Sequence, residues 1–397
     1  MSEAVIVDVV RTASGRGKPG GALSGVHPVD LLATVLRTIV GRSGLDPATI
    51  DDVIGGCVSQ VGEQAMNITR SAVLAAGFPE HIPAATVDRQ CGSSQQAAMF
   101  AAQSIMAGTH DIVIACGVES MSRVPLGSST AGAEMLSPGL RARYPAGFVN
   151  QGVSAELIAA KWGFDRTQLD AYAARSHRLA GEASASGLFD AEIAPVEVTD
   201  ADGTTRAHTT DETVRPGTTI EALAELRPSF HSEAAAQRFA QIAWSITPGN
   251  SSPLTDGASA ALIMSADRAA ALGLRPRARF VAFAVVGDDP IMMLTGPIPA
   301  TRRVLERAGL TIDDVDAFEV NEAFASVPLA WLAETGADAE RLNPRGGAIA
   351  LGHALGSSGT RLLTTLVNHL EHTGGRFGLQ TMCEGGGMAN ATLIERL

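Results

Sequence analysis

Two distant stretches of this chain carry the same four letters, Ile50-Asp51-Asp52-Val53 and Ile312-Asp313-Asp314-Val315. Each follows an amphipathic stretch ending in Gly-Leu, at Gly44-Leu45 and Gly309-Leu310, and each precedes an apolar, strand-like run. An equal step from each isoleucine reaches Cys91 in the first half (50 to 91) and His353 in the second (312 to 353). Farther on, Cys116-Gly117 parallels Cys383-Glu384-Gly385. A duplicated unit would set a cysteine and a histidine on equivalent loops about a pseudo-two-fold axis, which is one way to build a Cys/His catalytic pair from a single ancestral fold. A chance match on a common helix-to-strand linker is the alternative.

Composition narrows what such a duplicated chain can be. Its 397 residues suffice for two or three domains with substantial cores. With 45% hydrophobic and 18% charged residues it reads as globular, not disordered. A net charge of -12 argues against nucleic acid or an anionic membrane as partner, since both need a basic face. The only lysines are Lys18 and Lys161, so any phosphate site must use arginine, helix N-termini or backbone amides. No basic start and apolar core mark a signal peptide, and no apolar run reaches about 18 residues, the length of a membrane span. Four cysteines are too few for a disulfide framework in a chain of this size, so a reducing cytoplasm is the expected location.

Apolar stretches at 4–10, 53–58, 111–116, 259–264, 279–286, 315–320 and 376–382 read as strands. Helical periodicity lies between several of them, at 28–41, 93–107, 299–308, 322–334 and 357–372. This alternation predicts a layered α/β fold with buried sheets. Residues 121–250 differ: they are richer in Gly, Ser, Thr, Pro and charge, with one clear helical pair at 152–162 and 167–186, and read as an excursion from the first half.

Cys91 sits in Arg89-Gln90-Cys91-Gly92-Ser93-Ser94, where a strand-like run gives way to small residues and an alanine-rich helix. A helix N-terminus there would favour the thiolate; a small buried hydrophobe is the bland alternative. His353 lies in a glycine-rich loop, Gly352-His353-Ala354-Leu355-Gly356, and suits a general base or a core histidine bonded to backbone. Cys383 precedes Glu384-Gly385-Gly386-Gly387, a run able to form an amide nest for an oxyanion or simply a turn. Asn321, in Asn321-Glu322-Ala323-Phe324, caps the next helix or orients a water at a substrate oxygen.

Taken in this order and spacing, these segments resemble the thiolase family over essentially the whole chain, from Arg11-Thr12 to Thr392-Leu393-Ile394. The resemblance implies a duplicated fold: two similar α/β halves in a five-layer α-β-α-β-α arrangement, with a loop domain inserted in the first half. It sets the first half at 1–120 and 248–273, the loop domain covering coenzyme A at 121–247, and the second half at 274–397. It implies Cys91 as the acylated nucleophile, His353 as its base, and Cys383 as acid/base at the acetyl-CoA carbon. The amides of Cys91 and Gly385 form one oxyanion hole, and a water on Asn321 with His353 forms the other. Ser252, in Thr247-Pro248-Gly249-Asn250-Ser251-Ser252, matches a pantetheine contact, Arg215 an ADP contact, and Phe324 and Met293 the acyl pocket. Acyl-CoA and CoA are substrates, with no permanently bound cofactor and no metal, and the chain is expected to form a homodimer or homotetramer.

The implied activity is cleavage of a 3-ketoacyl-CoA in fatty-acid or steroid degradation. Acetoacetyl-CoA synthesis and a non-catalytic, lipid-binding relative are the alternatives. Departures from the family pattern bear on substrate choice: Ala354 replaces a proline, Pro248 an alanine and Ala389 a glycine, Asn150-Gln151 stand where short-chain members carry His-Met, and the chain between Phe230 and Trp244 is longer than usual.

Overall fold

The computed structural model describes residues 2–199 and 202–397. Nine strands follow one path through an 11-stranded sheet. They are β1 (Ala4–Thr12), β2 (Asp52–Gly56), β3 (Ala84–Val87), β4 (Ile112–Ser120), β5 (Thr255–Ser265), β6 (Ala278–Gly287), β7 (Ala317–Val320), β8 (Phe377–Glu384) and β9 (Met388–Arg396). Their spatial order is β7-β8-β9-β6-β1-β5-β4-β2-β3. The helices that frame the site are α1 (Pro28–Ser43), α2 (Ile68–Ala75), α3 (Ser93–Met106), α4 (Gln151–Trp162), α5 (Arg166–Ala185), α6 (Glu233–Arg238), α7 (Pro297–Ala308), α8 (Ser326–Thr335) and α9 (Ser358–Thr373).

The duplication is visible in the pairing. In the first half β2 pairs in parallel with β3 and β4, β5 runs antiparallel to β4, and β1 antiparallel to β5. In the second half β7 pairs in parallel with β8 and through a single bridge with Leu342, β9 runs antiparallel to β8, and β6 antiparallel to β9. Both first strands carry a bulge at the same place, Val7 between Ile6 and Asp8 and Val281 between Phe280 and Ala282. The halves join where β1 meets β6, at Val5↔Arg279 and Ile6↔Ala278.

This symmetry corrects the register suggested by the sequence. Both Gly44 and Gly309 are left-handed helix caps, with φ of 64° and 67°, and the following leucines bond back to Val40 and Leu305. Asp51 and Asp316 then do the same work: each carboxylate takes two backbone N–H groups, of Asp111 and Ile112 or of Arg376 and Phe377. Asp51 therefore corresponds to Asp316, and the identical tetrapeptides lie three residues out of register. In this register Cys91 matches Gly356, three residues past His353 in the equivalent loop. Cys383 matches Val118, and Cys116 matches Thr381, so the two cysteine strands do not superpose residue for residue.

Five layers result. Helices α1 and α2 cover the outer face of the first half-sheet, α3 and α9 pack against each other between the half-sheets, and α7 covers the outer face of the second. Close approach at the centre requires glycine: a Cβ on Gly359 would overlap the backbone of Gln95, and one on Gly356 would meet the backbone of Gly56, Cys57 and Val118. The alanines of α3 serve this contact within the subunit. The stretch 121–247 wraps over the second half, and a buried ion network ties it down. Arg11 on β1 pairs with Glu192 (2.9 Å) and Asp211 (2.8 Å), and Arg345 also reaches Glu192 (3.2 Å). Removing one partner would strand a buried charge, typically a loss of about 3–5 kcal/mol.

Most expected elements appear within a few residues of their predicted ends. The helix expected from 322 begins only at Ser326, with Ala325 at its N-cap, so Asn321 is not a helix cap. Strand β9 and helices α2 and α6 are additional to those the sequence indicated, and β3 is the strand-like run expected before Cys91.

Candidate active site

Cys91 lies in a turn that leads into α3. Gln90 before it takes φ of 49°, held by the Asp88 carboxylate accepting from its N–H, and Gly92 is the N-cap. The Ser93 hydroxyl closes the turn, accepting from Arg89 N–H and donating to the Gln90 carbonyl. The thiol is buried. Burial, and next the charge of Glu384, push it up to about 12; its own amide and that of Gly385 oppose the rise. These two amides lie beside the sulfur, where a thioester oxygen formed on it could accept from them. Desolvation outweighs the helix terminus that the sequence suggested would favour the thiolate.

Cys383, near the end of β8, is fully buried and is pushed well above its ordinary value by burial and then by Cys91. This influence puts the Cys91 sulfur within electrostatic reach of Cys383. Glu384, next along the chain, is also wholly buried. Neither carboxylate oxygen has a hydrogen-bond partner, and burial raises its pKa to about 8 against the opposing charge of Arg89. Its carboxyl lies against Gly92, where a Cβ would overlap it.

His353 is fixed on three sides. Gly352 takes φ of 84°, and a Cβ there would overlap the Thr255 side chain. The His353 N–H donates to Thr255 Oγ1 at 3.0 Å. Nδ1 lies 2.6 Å from Ser358 Oγ, whose own proton goes to the Ala354 carbonyl at 2.8 Å. Since that hydroxyl can only accept from the ring, Nδ1 carries the proton and Nε2 is the ring's acceptor. Nε2 faces Asn321 Nδ2 at 3.4 Å, and Asn321 Oδ1 is buried without a partner. Burial, then Arg361, lowers His353 to about 3, so the ring is a neutral base. Ser358 escaped the sequence reading; a hydroxyl five residues after a candidate base, on the helix following it, is the signal that would have found it.

A cavity of about 310 Å³ reaches His353 and is lined also by Leu355, Phe324, Gln151, Ser252 and their neighbours. It shares Ser251 and Pro253 with an outer recess of about 160 Å³ lined by Arg16, His177 and Arg215. The Ser252 hydroxyl has no hydrogen bond among the described residues, whereas that of Ser251 is committed to the Thr247 carbonyl at 2.7 Å. Arg16 is paired with Glu212, while the Arg215 guanidinium has no ion pair among the described residues. Of the expected residues, Cys91, Cys383 and Gly385 form one group and His353 and Asn321 another, Ser252 and Phe324 line the inner cavity with His353, and Arg215 stands at the outer one. Met293 does not reach the inner cavity; it packs into the apolar core of the second half. Asn150 caps α4 through Gly152 N–H at 2.9 Å, and both Asn150 and Gln151 line the acyl space.

Comparison with known proteins agrees with this geometry. The thiolase N-terminal domain model matches residues 4–267 and the thiolase C-terminal domain model residues 274–396. The chain is 47% identical to a steroid 3-ketoacyl-CoA thiolase of Mycobacterium tuberculosis, covering all of this chain and 95% of that protein. It is 44% identical to a 3-ketoacyl-CoA thiolase of Salmonella typhimurium over the full length of both. The crystal structure of the Bacillus anthracis acetyl-CoA acetyltransferase is similar with a TM-score of 0.89 and 37% identity, covering all of this chain and 99% of that one.

Proposed function

Because this chain belongs to the thiolase family, we propose that it cleaves 3-ketoacyl-CoA with CoA in a degradative pathway, through an acyl-Cys91 intermediate. His353 Nε2 takes the Cys91 proton, and the sulfur attacks the 3-keto carbon. The resulting oxyanion is met by the amides of Cys91 and Gly385. The C2–C3 bond breaks, its electron pair forms the acetyl-CoA enolate, whose oxygen is met by a water on the Asn321 amide and by protonated His353, and Cys383 gives the enolate carbon its proton. The same Cys91 and Gly385 amides hold the thioester carbonyl while CoA attacks. The CoA thiol proton restores Cys383, and His353 returns its proton to the departing Cys91 sulfur. One misaligned donor in such a hole typically lowers turnover by about 100-fold.

The single observation that carries this reading is the proton inventory at His353: Nδ1–H is committed to Ser358, leaving a neutral Nε2 lone pair beside Asn321. The outer recess with Arg215 suits the ADP portion of CoA, the Ser252 hydroxyl suits pantetheine, and residues 121–247 form the cover. The full-length relatives of higher identity favour degradation; acetoacetyl-CoA formation is the second reading, favoured by the solved acetyltransferase. Incubation with an acyl-CoA, digestion and mass spectrometry should find the label on Cys91. Label on Cys383 alone overturns the assignment of roles.

A homodimer suits the first half, where the edge strand β3 lies near Met66 (93% exposed) and Phe100 (41% exposed). An active monomer in light scattering would contradict it. Among the described residues no helix is long and apolar enough to cross a membrane; a cytoplasmic location is part of this proposal.

A further inference from the structure

Beside the loop that carries His353 lies a small cavity that the reaction above does not use. It measures about 10 Å³, and its lining includes Thr12, Ser14, Gly257, Ala354, Ser358 and Arg361, all of them buried. A space of this size admits one particle of about the size of water and excludes phosphate or a carboxylate. Ser14 and Ser358 have already given their hydroxyl protons, to the carbonyls of Leu351 and Ala354. Two donors remain. The Thr12 hydroxyl accepts from Ala258 N–H at 3.1 Å and gives its own proton to no group among the described residues. Arg361, one turn along α9 from Ser358, is only 6% exposed, yet its Nε, Nη1 and Nη2 all lack a hydrogen-bond partner among the described residues. A buried donor set of this kind is costly unless something accepts from it.

The charges around Arg361 decide what that acceptor is. Arg11 and Arg345 are bonded to Glu192 and Asp211. The remaining carboxylate of the cluster, Glu319, has no hydrogen-bond partner among the described residues, and burial pushes it up to about 8 against the charge of Arg361. At neutral pH it is therefore mostly uncharged, and three guanidinium groups face two carboxylates. Burial lowers the Arg361 pKa as well, the direction expected of a desolvated cation without a bonded counter-charge. A water would accept from the guanidinium but leave its charge uncompensated, whereas a small anion does both. We propose that this cavity is a binding site for one monovalent anion of chloride size, held by the Arg361 guanidinium and the Thr12 hydroxyl behind the His353 loop. Glycine at 257 keeps the site open: a Cβ there would stand 3.5 Å from both Ala354 Cβ and Thr12 Oγ1, two groups of the cavity wall.

Bromide is the probe, since it replaces chloride and scatters anomalously. Crystals of the full-length protein soaked in sodium bromide should show an anomalous peak roughly 3–4 Å from the Arg361 guanidinium. In solution, sodium chloride in place of sodium gluconate at equal ionic strength should raise the melting temperature of wild type by about 2–4 °C. Gly257→Ala puts a methyl group into the site at ordinary contact distance from its walls. It should abolish both the bromide peak and the difference between the two salts. Arg361→Met removes the charge and should abolish the same difference; if that variant does not fold, Gly257→Ala decides alone. Density for an ordered water with no bromide signal at Arg361 overturns the proposal. So does a chloride effect that persists undiminished in Gly257→Ala, which would place the ion elsewhere on the protein.

Discussion

Replacing Glu384 by glutamine tests what holds the nucleophile in reserve. The native carboxyl is buried beside Gly92, has no hydrogen-bond donor, and is the second cause, after burial, of a Cys91 thiol pushed up to about 12. Glutamine keeps the shape and removes the charge. At a separation on the order of 6 Å and an effective dielectric constant of about 20, one carboxylate opposes the thiolate by ~3 kcal/mol, or about two pKa units. Since burial contributes more, the variant thiol is expected about one to two units lower. Glu384 itself ionises near 8, so the contrast is largest above that pH. At pH 9.5 the thiolate fraction should rise about 10- to 100-fold, but a less basic thiolate is a weaker nucleophile, with a Brønsted slope of about 0.4–0.5. The net expectation is alkylation of Cys91 by iodoacetamide about three- to twelve-fold faster. Mass spectrometry of the Cys91 peptide, normalised to a cysteine-free peptide of the same digest, reads this directly. Equal or slower alkylation in a variant that melts with wild type would refute the electrostatic account of the resting thiol.

Three further outcomes are expected. Ser358→Ala removes the acceptor that fixes His353 Nδ1–H; the stranded donor and freed ring should slow acylation by about 10- to 100-fold, with binding of CoA unchanged, and an unaltered acylation rate would show that Ser358 does not orient the base. Gly359→Ala forces a Cβ into the Gln95 backbone at the crossing of α3 and α9, so thermal unfolding should report a loss of about 1–3 kcal/mol or an insoluble protein; a wild-type melting temperature would mean the crossing is looser than described. His353 is held near 3 in the fold and titrates near 6.5 when unfolded, so the unfolded chain binds a proton that the folded one refuses. Stability is therefore lost as pH falls through this window, and His353→Gln should lose about 2–3 kcal/mol less than wild type between pH 7.5 and 4.5 in urea unfolding.

The sequence disclosed the parts of the site that are chemically unusual. A cysteine between a strand-like run and small residues, a histidine between glycines, and a cysteine before three glycines each announce constrained backbone near a reactive group. What it hid was register. Four identical letters at Ile50 and Ile312 suggested an alignment, but the physical equivalence is carried by Asp51 and Asp316, whose carboxylates brace the same backbone turn. Strand β9 was missed because Met388–Arg396 carries polar residues on a strand buried along nearly its whole length, where an isolated surface strand would alternate. Met293 was assigned to the acyl pocket by its place in the family pattern, but it packs into the core. Ser358 and Glu384 were passed over because a serine on a helix and a glutamate in a loop look ordinary until burial is known.

Burial is also where the two halves part company. In the common register Glu119 on β4 corresponds to Glu384 at the end of β8. Glu119 is fully satisfied: it takes the N–H groups of Val58 (2.9 Å), Ser59 (3.0 Å) and Gly356 (2.9 Å) and the Gln64 amide (2.8 Å). Gly356 is the counterpart of Cys91, so in the first half the glutamate clamps the loop that carries His353. Glu384 has no such donors and leans on Gly92, beside the nucleophile. One copy of the ancestral carboxylate thus stabilises a loop, while the other stays uncompensated next to the thiol whose charge it opposes. A buried polar group without partners is normally selected against. Here the uncompensated carboxylate adds to the cost of forming the Cys91 thiolate, which is the contribution that Glu384→Gln removes.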